Sequence, residues 1–245
     1  MGGAEVDGAA GSKISSRQIV RPVLDSRGLS TDMSAALKLP PAPAPVFIKH
    51  TPPRLTEEEY EDILAKSDVK LEFLNGQIHA MAGGGASHSL VKSNTIARLN
   101  DAFRKRPCRV YDSDMKVKAE ASGMNSFPDA SIVCGKPEFK DDKRLTLLNP
   151  GVIVEVLSPG TEAFDRGMKF LNYREIPSLH TYVLISTEEP LVEVYELNAD
   201  AHWQLETFRG ADSTVRLHHC EVEIPLADFY EKTEFDPAWV EAGEA

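Results

Sequence analysis

Asp129 follows Pro128 at the entry of the apolar run Ala130–Cys134, and Glu155 stands inside a second run, Val152 to Leu157. β-Branched runs of this kind predict strands in a buried sheet. Two carboxylates on adjacent strands are how a sheet assembles a divalent-cation site from oxygen ligands. Pro-Asp is also a common turn dipeptide, so Asp129 by itself reads as a turn residue. Glu155 is harder to place, because a glutamate among apolar neighbours must be protonated, paired or metal-bound. Lys169 falls four residues after Asp165 on a helix predicted from Glu162 to Arg174, with Thr161 as its cap and Pro177 as its stop. Two readings are open for it. It forms an i,i+4 surface pair with Asp165, or the helix carries its ammonium back over the end of Glu155's strand, toward a water or a phosphate.

Glu72 and His88 form a second rank of candidates. Glu72 alternates with Leu71 and Phe73, so it is either a site residue or a plain solvent-facing strand residue. His88 follows Gly83-Gly84-Gly85 and opens a helix. His79, His180, His202, His218 and His219 show no spacing that suggests a metal site. Cys108, Cys134 and Cys220 are an odd number without a CxxC pair, which predicts buried reduced thiols in a cytoplasmic protein rather than a disulfide framework.

These side chains need elements to hold them. Thr56 and Glu59 spell a capping box for a helix whose apolar stripe is Tyr60, Ile63 and Leu64. Asn75-Gly76 between alternating residues predicts a hairpin over Lys70–Met81. Ser87 is the expected cap of a helix from His88 to about Arg104, with Leu90, Ile96, Leu99 and Phe103 inward. Arg109–Lys118 alternates as one strand. Tyr182–Ile185, Leu191–Leu197, Gln204–Phe208 and Glu221–Ile224 read as further strands, and Pro225–Tyr230 as a short closing helix. The order predicts one α/β or α+β domain around a mixed sheet.

Residues 1–52 are Gly/Ala- and Pro-rich and are expected to be a disordered leader, with Met1 or Met33 as the start. The folded domain is expected over 53–235 and an acidic tail over 236–245. The hydrophobic content of 42% and charged content of 27% describe an ordinary globular chain. No apolar run approaches the roughly 20 residues of a membrane helix. The net charge of −11 counts against broad polyanion binding. The charge is uneven, however: residues 92–118 hold eight basic residues against three acidic ones, and residues 221–244 hold eight acidic residues against Lys232. The basic stretch is either a solvated helix surface or a phosphate-facing patch.

Leu71-Glu72-Phe73-Leu74-Asn75-Gly76-Gln77-Ile78, His88 after a glycine turn, Pro128-Asp129, Val154-Glu155-Val156-Leu157-Ser158-Pro159, Asp165-Arg166-Gly167-Met168-Lys169-Phe170 and Tyr173 occur in that order. Together they resemble the Uma2 family (the DUF820 group), which is grouped with the PD-(D/E)XK restriction-endonuclease-like nucleases. The resemblance covers roughly residues 55–230. It implies a restriction-endonuclease-like core with a mixed, mainly antiparallel sheet flanked by helices. It also implies that Asp129 and Glu155 hold Mg²⁺, with Mn²⁺ as a substitute, and that Lys169 assists the water and phosphate. Glu72 and His88 would complete the site. The expected substrate is DNA, double-stranded, and pairing into a homodimer follows from fold analogy alone. One departure bears on turnover: Leu157 stands two residues after Glu155, where the superfamily pattern has lysine. The alternative is therefore a catalytically silent protein that keeps the fold and binds nucleic acid or a protein partner.

Overall fold

A computed structural model describes residues 54–81 and 83–235. The expected leader, the start at Met1 or Met33 and the acidic tail lie outside the described residues.

The first helix, α1 (Glu57–Leu64), begins at the expected capping box: Thr56 Oγ1 accepts from the Glu59 N–H at 3.2 Å, and the Glu59 carboxylate accepts the Thr56 N–H at 2.8 Å. Of its predicted stripe, Tyr60 is fully buried, Leu64 is half-buried and Ile63 is exposed. Tyr60 stacks on Phe73 and donates to the Leu71 carbonyl at 2.7 Å, so one side chain seats the helix on the first hairpin. That hairpin joins β1 (Leu71–Leu74) to β2 (Gln77–Ala80). Asn75 and Gly76 both have positive φ, 52° and 77°, as a two-residue turn matching strand twist requires.

Helix α2 (Ala86–Phe103) starts two residues earlier than expected, with Gly85 as its N-cap. Ser87 instead donates to the Glu234 carboxylate at 3.0 Å. The buried stripe is Val91, Thr95, Leu99 and Phe103, while Leu90 is exposed and Ile96 only partly buried. Thr95 fits this apolar line because its hydroxyl donates to the Val91 carbonyl at 2.7 Å.

The strand expected over Arg109–Lys118 is two strands in different sheets. β3 (Cys108–Asp112) and β4 (Lys116–Ala119) are separated by a turn in which the Asp114 and Met115 N–H groups bond back to Asp112. Then follow β5 (Met124–Ser126), β6 (Ala130–Cys134), β7 (Thr146–Leu147) and β8 (Val152–Val156). Next come α3 (Glu162–Phe164), a π-helical turn (Asp165–Lys169) and α4 (Phe170–Tyr173). Strands β9 (Thr181–Ile185), β10 (Leu191–Leu197), β11 (Trp203–Arg209), β12 (Thr214–Leu217) and β13 (Val222–Pro225) complete the sheets. A 3₁₀ turn, Leu226–Tyr230, closes the described chain over α2.

Two main sheets form where one was expected. Their orders are β2-β1-β5-β4-β7 and β11-β10-β9-β8-β6-β3, with β12 and β13 as a separate ribbon. Among the described residues every strand pairing is antiparallel except β4–β7 and β8–β9. The fold class is thus α+β, mixed and mainly antiparallel, as expected. β8 serves two cores. Val152, Val154 and Val156 pack with Val91, Leu99 and Phe103 of α2 and with the β12–β13 ribbon. Ile153 and Leu157 face the other way, onto Tyr173, Ile176 and Tyr182 and onto Leu74, Val117 and Leu147 of the first sheet. Glu155 shares that second face by strand alternation. Among the described residues no helix is long and apolar enough to cross a membrane.

The cysteines depart from expectation. Cys108 and Cys134 are directly opposed across β3 and β6 and form a disulfide, with Cys134 exposed. Only Cys220 is a buried free thiol. The linear spacing of 26 residues hides a pairing that only the register creates.

Gly76 holds a left-handed turn position, and a Cβ there would lie 2.7 Å from the Arg54 Cβ. Gly76→Ala should cost roughly 1–2 kcal/mol. Urea unfolding tests this, and an unchanged midpoint would count against the strain.

Candidate active site

β6 and β8 pair with Ala130 opposite Val154, so the register one step further sets Asp129 beside Glu155. Asp129 is tied to that strand directly: its Oδ2 accepts the Val156 N–H at 2.9 Å. The same oxygen lies 3.4 Å from His88 Nε2, and Oδ1 lies 3.6 Å from Lys92 Nζ. Burial pushes the Asp129 carboxyl up, but the His88 hydrogen bond and charge, the Val156 N–H and Lys92 outweigh it and hold its pKa below the ordinary value. His88 reaches this position past Gly84, where a Cβ would sit 2.3 Å from its Nδ1.

Glu155 is 3% exposed. Its Oε1 accepts from Lys169 Nζ at 3.1 Å and from the Tyr173 hydroxyl at 2.9 Å. The Tyr173 oxygen in turn lies 2.8 Å from Ser126 Oγ. Burial raises the Glu155 carboxyl well above its ordinary range; Lys169 opposes this, and Asp165, Asp129 and Glu72 add to it.

Lys169 is enclosed. Its ammonium lies 3.0 Å from Glu72, 3.1 Å from Glu155 and 3.2 Å from Asp165. Burial alone would lower its pKa, but the three carboxylates raise it well above the ordinary value. The surface-pair reading of Asp165 and Lys169 is overturned, because both are buried. They lie at the two ends of the π-helical turn, and Tyr182 donates to the Asp165 carbonyl at 3.0 Å. Thr161, expected as the helix cap, makes no capping bond, and its hydroxyl lies 3.0 Å from that of Ser158.

Glu72 is buried rather than solvent-facing, since all four residues of β1 are covered. Tyr60 covers Phe73 on one face, while Glu72 and Leu74 point the other way, toward Lys169 and Tyr173. The Glu72 carboxylate also accepts the Phe127 N–H at 3.1 Å, which fixes the step into Pro128-Asp129.

All five side chains anticipated from the sequence line one cavity of about 700 Å³: Glu72, His88, Asp129, Glu155 and Lys169. Asp165, Lys92, Lys70 and Ser113 also line it, as does His79, which linear spacing had set aside. The i,i+4 step from His88 to Lys92 is the signal that places Lys92 on the same helical face. Leu157 is a core residue at 3% exposure, so the lysine missing from that position is replaced by packing. Among the described residues no three or more His, Cys, Asp and Glu side chains stand together as an ion's ligands. Asp129 and Glu155 are instead a two-carboxylate set of hard oxygens, the kind of protein ligand Mg²⁺ takes alongside waters.

The arrangement is a nuclease-like fold with an acidic pair on neighbouring strands. The fold is shared with the crystal structure of a "putative nuclease belonging to DUF820" from Anabaena variabilis, at a TM-score of 0.57 and 18% identity, covering 69% of this chain and 95% of that one. The family model of Uma2, described as "putative restriction endonuclease", matches residues 57–227, and the chain belongs to that family. Two proteins of Synechocystis sp. are similar along most of their length. The "uncharacterized protein slr1290" is 32% identical over 170 residues, which cover 68% of this chain and 88% of that one. The "uncharacterized protein sll1609" is 30% identical over 168 residues, covering 69% and 95%.

Two expectations follow from the electrostatics. Lys169→Met leaves three buried carboxylates without their cation, and should destabilise the fold by about 3–5 kcal/mol in urea unfolding. A loss below about 1 kcal/mol would show that the clasp is not structural. The second concerns pH. A carboxyl whose pKa is raised by folding stabilises the protein below its ordinary pKa, and that contribution is lost as pH rises through the raised value. Glu155 therefore makes the native chain more stable as pH falls through its raised pKa toward the ordinary carboxylate range, and Glu155→Gln flattens that dependence. Asp129 has the opposite sign, its contribution fading only as pH falls through its lowered pKa. Identical pH slopes for native and Glu155→Gln chains would refute the Glu155 assignment.

Proposed function

We propose that this protein is a Mg²⁺-dependent endonuclease that hydrolyses phosphodiester bonds in double-stranded DNA. The observation that carries the reading is the convergence of Asp129 and Glu155 at one end of β6 and β8, in a cavity where Lys169 binds Glu155 at 3.1 Å. Uma2 membership supports a nucleic acid as substrate.

Phosphodiester hydrolysis needs a nucleophilic water and neutralisation of charge at the phosphate, which Mg²⁺ supplies when held by carboxylates. Asp129 is suited to be one ligand because His88, Lys92 and the Val156 N–H keep it ionised. Glu155 is suited to be the other: both its hydrogen bonds fall on Oε1, leaving Oε2 to coordinate. Lys169 holds Glu155 in place and favours its ionised form. Glu72 braces the backbone at Phe127, just ahead of Asp129.

A second reading is favoured by one observation. The three carboxylates around Lys169 already have a resident cation. On that reading the protein is catalytically silent and binds nucleic acid. Plasmid DNA incubated with the purified chain and Mg²⁺ separates the two. The native chain should nick or linearise it, and Asp129→Ala should lower the rate by at least about a hundredfold. Equal rates for the two chains would defeat the assignment. No cleavage by the native chain, with no heat of Mg²⁺ or Mn²⁺ binding in calorimetry, would establish the silent alternative.

A further inference from the structure

Lys169 has three ammonium hydrogens and three carboxylate partners, and is 5% exposed. It has no donor left for a phosphate. A phosphodiester entering this cavity would meet Glu72, Asp129, Glu155 and Asp165, so it needs a different cation facing it.

Lys92 is placed for that. It sits one helical turn after His88, and its side chain is 34% exposed. Its Nζ lies 3.6 Å from Asp129 Oδ1 and 3.5 Å from Ser113 Oγ. The first contact is longer than a hydrogen bond and the second lies at the limit, so the ammonium is attracted but not saturated. Lys70 approaches the same hydroxyl from elsewhere: its Nζ lies 3.5 Å from Ser113 Oγ and donates to the Ser113 carbonyl at 2.8 Å. Two ammonium groups thus bracket one hydroxyl, and all three residues line the cavity that holds Asp129. Lys70 is further committed to Asp114 at 2.5 Å, which leaves Lys92 as the freer cation.

We infer that Lys92, with Ser113 and Lys70 beside it, forms a phosphate subsite, in which the Lys92 ammonium contacts a non-bridging oxygen of a nucleic-acid phosphodiester next to Asp129. This rests on the nuclease reading for its catalytic meaning, but binding can be read separately. Lys169 is then a positioning residue for Glu155, and Lys92 is the cation that touches substrate.

The test is binding of a fluorescein-labelled DNA duplex in EDTA, followed by anisotropy over roughly 50–200 mM salt. Lys92→Ala should reduce the slope of log affinity against log salt by about 1, the signature of one lost phosphate contact. Lys92→Arg should keep the native slope, as should Lys140→Ala, whose amine pairs with Glu57 and does not line the cavity. A native slope for Lys92→Ala overturns the inference, as does an equal loss for Lys140→Ala or a native chain that binds no duplex. Plasmid cleavage separates the two readings. If the native chain cleaves while Lys92→Ala keeps its slope, only the subsite falls. If the native chain does not cleave while Lys92→Ala loses its slope, the subsite stands on a binding protein and the nuclease reading falls.

Discussion

One ammonium group holds three parts of this molecule together. Lys169 on the π-helical turn reaches Glu72 on β1, Glu155 on β8 and Asp165 one turn before it. β1 and β8 belong to different sheets, so the clasp joins the two sheets through the helix between β8 and β9. Bringing four charges out of water costs several kcal/mol for each, and the arrangement persists only because further donors share the load. Tyr173 donates to Glu155 and the Phe127 N–H to Glu72. Burial above all, and then the excess of negative charge that three acids leave around one base, raises the affinity of both Glu155 and Asp165 for protons.

The strand that bears this charge is otherwise wholly apolar. Val152, Val154 and Val156 fill one core, and Ile153 and Leu157 another. Glu155 is the single polar interruption, at the point where the second core gives way to the cavity. Leu157 belongs to the packing on that face, with its backbone N–H bonded to the Ile185 carbonyl. An amine from the following helix therefore reaches the carboxylate by a route the strand does not provide. The widened turn, with buried Asp165 and Lys169 at its two ends, is the local backbone feature that accompanies it.

The overall charge of −11 is compatible with the proposed phosphate subsite because charge acts locally. At physiological salt, exposed charges are screened beyond roughly 8 Å. What a phosphate would feel is the set of groups lining the cavity, where Lys70, Lys92 and Lys169 stand among the carboxylates. His88 and Lys92 lie one turn apart on α2, which brings a basic edge of that helix to Asp129.

Local pattern determined a good deal. The capping box at Thr56, the turn at Asn75-Gly76, the strands around Asp129 and Glu155 and the helix carrying Lys169 all rest on contacts within a few residues, which propensity and periodicity record. The order of motifs also identified the family. Tertiary structure decided which faces were covered. Alternation shows that Glu72 faces away from Leu71 and Phe73, but β1 lies inside a sheet with both faces packed, so Glu72 is buried as well. Leu99 and Phe103 of α2 are inward as expected, but Val91 and Thr95 take the places expected for Leu90 and Ile96, and the break at Ser113–Met115 sends β3 and β4 to different sheets. Cys108 meets Cys134, and Lys169 meets Glu72, only because strands distant in sequence are brought into register. Periodicity specifies which side chains share a side, and only the packing of remote segments specifies what that side meets.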